Sequence, residues 1–266
     1  MQKKVVFITG ASSGLGLSTA KHLQGIGFKV YGTGRNPKSN QSFELVKMDV
    51  RDKKSIENAI SFVLSKEKSI DILINNAGIG ITGPIEETST NGMRDVFETN
   101  FFGAIETMKA VLPQMRKQKS GLIINVTSIA GYMGLPFRGI YSASKGALEL
   151  VTESLRMEVK SFGIQITNVA PGDFATNIAS GRVTTPVESM SAYAHSYKKS
   201  LDLMNTHVDK GDDPIIFAKA IEKIICKKNP AIHYKVGDFL QKFSIILKRV
   251  LPDKWYEKML MNHFNL

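Results

Sequence analysis

VVFITGASSGLGLSTAKHL, residues 5 to 23, decides the architecture of this 266-residue chain. The apolar run from Val5 reads as a buried strand, and it breaks at Thr9 and Gly10, too short for the core of a signal sequence. Gly10, Gly14 and Gly16 then open a helix expected from about Leu15 to Leu23. Glycines allow a tight turn and a close backbone approach, while the unpaired amides and dipole of a helix amino terminus favour a phosphate. A glycine-rich turn set between strand and helix therefore reads as a nucleotide cradle.

Working outward, strand-like runs recur at KVYGT (29–33), DILIN (71–75), GLIINVT (121–127) and IQITNVA (164–170), with helix-length segments between them. Such alternation gives crossover connections and a parallel sheet, and strands that are apolar throughout need helices on both faces. The expected fold is α/β, a doubly wound parallel sheet in one domain spanning residues 1–266. Residues 173–211 break the pattern, being rich in Ser, Thr and Tyr with little periodicity, and read as a mobile substrate lid of loop or short helix. Asp212, Asp213 and Pro214 mark a helix start. HYKVG (233–237) suggests a last strand, and residues 238–266 form a basic tail with apolar residues in helical spacing.

Thirty-five basic against 24 acidic residues leave a net charge of +11, enough to attract an anionic cofactor, nucleic acid or an acidic membrane. Much of the excess lies between Lys227 and Lys258, where only Asp238, Asp253 and Glu257 oppose the cations. Phe239, Leu240, Phe243, Ile245, Ile246, Leu247 and Leu251 interleave with them, which argues against nucleic acid. The pattern suits peripheral contact with an anionic membrane, or a helix facing an oligomer partner or covering a pocket. No apolar stretch approaches the ~20 residues of a membrane span, and the single Cys226 forms no internal disulfide. A cytoplasmic protein is expected, with membrane association as its variant. His195, His207, His233 and His263 lack metal-ligand spacing, so no metal is expected.

Tyr141 and Lys145 stand four residues apart in YSASK, on one helix face, where an ammonium favours the ionised phenol. Together with the GxxxGxG turn, NNAG (75–78), NVTS (125–128) and PG (171–172), this ordered set resembles the short-chain dehydrogenase/reductase family from residue 5 to about 180. Residues 131–155 resemble its 17β-hydroxysteroid and retinol dehydrogenase branch. The resemblance implies a Rossmann-type sheet of about seven strands, a nicotinamide cofactor and a catalytic group of Asn100, Ser128, Tyr141 and Lys145. It implies cofactor contacts from Gly10, Ser12, Ser13, Gly14, Leu15 and Gly16, from Asp49 and Val50 at the adenine, and from Asn76, Ala77 and Gly78 beneath the ribose. Tyr141, Lys145, Pro171, Gly172 and Thr176 complete that set. Segments 100–116 and 141–162 resemble family dimerisation surfaces, so a homodimer or homotetramer is expected.

After the second strand the chain reads YGTGRNP, with Arg35 where an acid would bind the ribose of NAD. A guanidinium pairs a 2′-phosphate in a bidentate way, so NADP(H) is expected. In such a site Tyr141 is general acid in reduction, Ser128 polarises the carbonyl, Lys145 tunes the phenol and binds the nicotinamide ribose, and Asn100 holds a relay water. The branch resemblance points to a mainly apolar carbonyl substrate: a steroid, a retinoid or a long-chain keto-lipid such as a 3-keto sphingoid base. Met133, Leu135, Phe137, Phe174, Met190, Tyr193 and Tyr197 are candidate walls. The alternatives are a non-catalytic NADP(H) sensor, or a reductase of small polar or acyl-carrier-linked ketones. Asp173, in PGDFATN, departs from the commoner family pattern.

Overall fold

The computed structural model describes residues 3–37, 41–176 and 181–266. Seven strands make one sheet in the order β3 (Glu44–Lys47), β2 (Lys29–Gly34), β1 (Val5–Ile8), β4 (Ile72–Asn75), β6 (Gly121–Val126), β7 (Ile164–Pro171) and β9 (His233–Val236). Every pairing is parallel. The chain order runs outward from β1 on one side and from β4 on the other, so the crevice at their carboxyl ends is a topological switch point.

Alternation along each strand supplies both faces. Val5 and Phe7 join a core with α2 (Lys53–Glu67), α4 (Gly103–Gln118) and α5 (Gly139–Glu158). Val6 and Ile8 join the opposite core with α1 (Gly14–Gly25) and α7 (Pro214–Ile225). Each fully buried Val, Ile, Leu or Phe contributes about 1.5–3 kcal/mol, so two such cores hold the sheet rigid. Asp213 caps α7 through its bond from the Ile215 amide at 2.8 Å, and Pro214 occupies the first turn, as expected.

Three regions differ from the sequence reading: the strand after β2, the tail and the 173–211 excursion. Strand β3 was not foreseen, because ELVK is short, half polar and sits at the sheet edge, where one side needs no burial. The tail is two helices, α8 (Phe239–Val250) and α9 (Asp253–Phe264), divided at Pro252. Their inner side chains Ile245 and Tyr256 pack with Ile129, Met133 and Ala170 beside the carboxyl ends of β6 and β7.

The expected lid is well structured in its described part, although residues 177–180 lie outside the described residues. Strand β8 (Val183–Thr184) pairs with β5 (Ile81–Thr82), and α6 (Ala194–Asp209) is a 16-residue helix where at most a short one was expected. Its buried stripe is Tyr197, Ser200 and Met204, and a serine at the centre hides the helical period. The two ends of the excursion are stitched together: Ala175 N–H bonds Asp212 O at 3.0 Å, and Asp212 N–H bonds Asp173 O at 3.1 Å. Gly211 is required there, since a Cβ would stand 2.7 Å from the Phe174 backbone.

Candidate active site

The turn after β1 is shaped by what it must not contain. Gly10 has φ +67°, and a Cβ on it would fall 2.8 Å from Ala77 Cα. A Cβ on Gly16 would meet Asn76 Nδ2 and Gly10 O, each at 2.4 Å. The 76–77 segment is pinned onto this turn, Asn76 and Ala77 N–H donating to Thr9 Oγ1 at 3.0 and 2.9 Å while Asn76 Nδ2 bonds Thr9 O and Gly10 O. Helix α1 begins after Ser13 without a side-chain cap, leaving its first amides for an anionic ligand.

Beyond the turn lies a cavity of about 530 Å³. It is lined by Gly10, Ser12, Ser13, Gly14, Leu15, Arg35, Asp49, Val50, Asn76, Ala77, Gly78, Tyr141, Lys145, Pro171 and Thr176. Two of the expected contacts do not line it: Gly16 packs behind the turn, and Gly172 lines a smaller adjoining cleft. Arg51, Asp95 and Thr99 line it and were not anticipated. Arg51 Nη2 pairs with Asp49 Oδ2 at 2.9 Å, and that bond holds the Asp49 carboxyl below the usual range. The only signal for Arg51 was its place in MDVRD, next to the expected Asp49–Val50 pair. These features, an uncapped helix start, a turn closed to side chains and a roomy groove ending at Arg35, fit a nicotinamide dinucleotide.

At the far end of the groove the candidate chemical residues converge. Tyr141, in the first turn of α5, lines both the groove and the smaller cleft, and Ser128, at the end of β6, lines the cleft. Ser128 Oγ accepts from Ala130 N–H at 3.2 Å, so its hydroxyl proton is free to point elsewhere. Lys145 is buried one turn beyond Tyr141 and donates to Val126 O at 2.9 Å. Burial pushes its ammonium down to about 8.

Asn100 sits in a one-turn π-bulge, Glu98–Phe102, between α3 (Thr90–Phe97) and α4. Its Oδ1 accepts from Ile79 N–H at 2.8 Å, and its Nδ2 donates to Ile79 O and Ser144 Oγ at 2.9 and 3.1 Å. It lines neither opening. Gly78 brings it near the lysine, for a Cβ there would stand 3.2 Å from Asn100 Oδ1 and 3.3 Å from Lys145 Nζ. Behind Lys145, Thr127 Oγ1 donates to Glu149 Oε1 at 2.7 Å, and burial raises that carboxyl to about 7.

A family model described as short chain dehydrogenase matches residues 4–186. The chain belongs to the short-chain dehydrogenase/reductase family. It is 40% identical over 255 residues to a 3-ketodihydrosphingosine reductase of Bacteroides thetaiotaomicron, covering 95% of each chain. With retinol dehydrogenase 8 of Bos taurus it shares 32% over 259 residues, 88% of this chain and 81% of that one. A short-chain dehydrogenase of Streptomyces avermitilis superposes with a TM-score of 0.81 at 31% identity over 97% of both chains. The protein is thus an oxidoreductase of a family that uses nicotinamide cofactors on small-molecule carbonyl or alcohol substrates, on its retinol-dehydrogenase-like side.

In this short-chain dehydrogenase the cleft beside Tyr141 is lined by Gly80, Ile81, Arg138, Gly172, Asp173, Phe174 and Arg182. Of the seven candidate walls only Phe174 reaches it, and its ring also packs against Phe217 at 5.9 Å. Met133 is core under α8 and α9, Tyr197 is buried and bonds Thr82, Tyr193 bonds Glu86, and Met190 is 95% exposed. Phe137 packs tilted against Tyr197, ring centres 5.3 Å apart, and Leu135 is partly buried against Tyr141's core cluster. Asp173 now has a physical role: its Oδ2 accepts from Gln241 Nε2 at 2.7 Å and its N–H donates to Gln241 Oε1 at 3.0 Å, fastening α8 to the cleft's edge. Among the described residues no cluster could hold a metal ion.

Proposed function

We propose that this protein reduces the ketone of a long, mainly apolar substrate to the alcohol, with NADPH preferred over NADH. The observation that carries the reading is the placement of Tyr141 at the junction of the nucleotide groove and the cleft, with Ser128 on the cleft side and Lys145 on the groove side. A bound nicotinamide supplies the hydride. Tyr141 delivers the proton to the growing alkoxide, and the Ser128 hydroxyl donates to the same oxygen, stabilising charge that exists only in the transition state. Lys145, cationic at pH 7 and one turn from the phenol, places positive charge on the groove side of Tyr141 and holds the nicotinamide ribose. Asn100 acts through the relay water behind Lys145. Arg35, unpaired among the described residues and lining the groove, receives the 2′-phosphate.

A keto-lipid is favoured over a steroid or retinoid by the 40% identity to a 3-ketodihydrosphingosine reductase and by the outer face of α8. Phe239, Leu240, Phe243, Ile246 and Val250 are all exposed, while Gln241, Ser244 and Ile245 turn inward. Lys242 and Arg249, seven residues apart, lie along one edge of this apolar stripe. A stripe that begins where Gln241 grips the cleft's edge suits an anionic bilayer supplying a lipid substrate. Among the described residues no helix is long and apolar enough to cross a membrane, so the contact belongs at the surface. Exposed Leu150 and Met157 on α5 support a homodimer or homotetramer built on that helix.

The reading is tested by following absorbance at 340 nm with NADPH or NADH against steroids, retinal, long-chain β-keto lipids and short polar ketones. Turnover of long apolar ketones with NADPH is expected. Activity confined to small polar ketones, or a preference for NADH, refutes the corresponding half, and cofactor binding without any turnover leaves the sensor.

A further inference from the structure

The cleft that receives the substrate carbonyl contains two arginines that nothing in the proposed hydride transfer uses. Arg138 stands immediately before α5, its guanidinium carbon 5.3 Å from the centre of the Tyr141 ring. Arg182 comes from the lid just before β8, packs over Gly80 and donates from Nη1 to Asn205 Oδ1 at 3.2 Å. Both line the cleft with Ser128 and Tyr141, both are half-buried, and neither forms an ion pair among the described residues.

Two like charges converging in a partly dry cleft are unfavourable without an anion. Burial, and next the charge of Arg138, lower the Arg182 pKa. Asp173 is the one carboxylate lining the cleft; it attracts Arg182 but lies beyond ion-pair distance, its Oδ2 taken by Gln241. Burial raises the pKa of Tyr197, the tyrosine beside Arg182, so that hydroxyl supplies no counter-charge. Each guanidinium has five N–H donors in a planar fork suited to carboxylate, phosphate or sulfonate oxygens, and among the described residues only Arg182 Nη1 has a hydrogen-bond acceptor, Asn205 Oδ1.

We propose that Arg138 and Arg182 form an oxyanion-binding fork beside Tyr141, so that the substrate is a long-chain ketone carrying an anionic group within a few bonds of its carbonyl. This rests on the reductase reading above and narrows its substrate class. The fork orients the carbonyl towards Ser128 and Tyr141, and it disfavours the ammonium of a 3-keto sphingoid base.

The test compares four long-chain ketones of matched length with NADPH: a 3-oxo carboxylate, its neutral methyl ester, a keto phosphate monoester and a 3-keto sphingoid base. Wild type is expected to show kcat/KM at least about tenfold higher for the anionic pair than for the ester, with the better of the two identifying the group. In Arg138→Gln and Arg182→Gln that anionic-to-neutral ratio collapses, and Arg182→Lys retains part of it. No anionic preference in wild type, a preference for the sphingoid base, or equal losses on all four probes in the variants overturns the fork. Binding of the 3-hydroxy carboxylate product to wild type and to the double Gln variant, by calorimetry with NADP+ present, keeps the fork testable if no probe turns over. Weaker binding by the double variant then supports the fork while the reductase reading fails, and equal binding overturns the fork itself.

Discussion

The nucleotide groove and the carboxy-terminal cover are built on opposite rules. At the groove, Gly10 and Gly16 leave no room for a Cβ, four hydrogen bonds tie Asn76 and Ala77 to Thr9 and Gly10, and apolar side chains point into two dry cores. At the cover, α8 turns Gln241 and Ser244 towards the protein and leaves Phe239, Leu240 and Val250 about 70% exposed. The contrast teaches that close packing is concentrated around the glycine turn that shapes the groove, whereas the surface over the cleft leaves large apolar side chains in solvent.

The contrast is broken most strongly by removing its charge selector. Arg35→Ala is expected to lower kcat/KM with NADPH about 10–100-fold and to leave NADH within a few-fold, the range for losing charge-assisted bonds to a phosphate, measured by steady-state kinetics. Gly16→Ala is expected to cost about 1–3 kcal/mol in urea unfolding and to weaken NADPH binding, because its methyl meets Asn76 Nδ2 and Gly10 O at 2.4 Å.

Lys145 gives a pH test whose two readouts move oppositely. Its pKa falls from 10.5 to about 8 on burial, so between those values the unfolded chain binds more protons and this group's contribution to stability rises with pH. Activity moves the other way: kcat/KM for reduction falls as pH passes about 8 and the charge beside Tyr141 is lost. A parallel fall in thermal stability over that window counts against the assignment. Glu149→Gln, removing a carboxyl raised to about 7, is expected to flatten the loss of stability between pH 4.5 and 7 and to raise stability at pH 7.5 by about 1–3 kcal/mol. The smallest effect belongs to the cover. Phe243→Asp with Ile246→Asp is expected to change unfolding free energy by less than ~0.5 kcal/mol while abolishing the wild-type cosedimentation with anionic vesicles at low salt, zwitterionic vesicles retaining little of either protein.

The groove was legible because its requirements are local. A turn that excludes Cβ atoms must be written in glycine, and buried central strands must be apolar throughout, so GASSGLG, NNAG and five strands could be read directly. The candidate chemical residues were legible as a group because a four-residue helical spacing puts Tyr141 and Lys145 on one side, and the structure adds that Asn100 Oδ1 and Lys145 Nζ both lie against Gly78. The cleft was not legible. Phe137, Met133, Tyr193 and Tyr197 are apolar or aromatic like pocket walls, but whether they face a ligand depends on helices α6, α8 and α9, which arrive from far along the chain. Arg138 and Arg182 meet only because β8 docks on β5, and nothing in the spacing of those two arginines announces it. Ser200, in the middle of the buried stripe of α6, concealed the helix itself.

The measurement that tests the central claim most directly is NADPH oxidation at 340 nm with a long-chain β-keto lipid, wild type against Tyr141→Phe, alongside NADPH binding by fluorescence. The account predicts cofactor binding within a few-fold of wild type and a kcat reduced about 10²–10⁴-fold, the usual worth of a positioned acid. Turnover by the phenylalanine variant near the wild-type rate would contradict the assignment of Tyr141 as the proton donor.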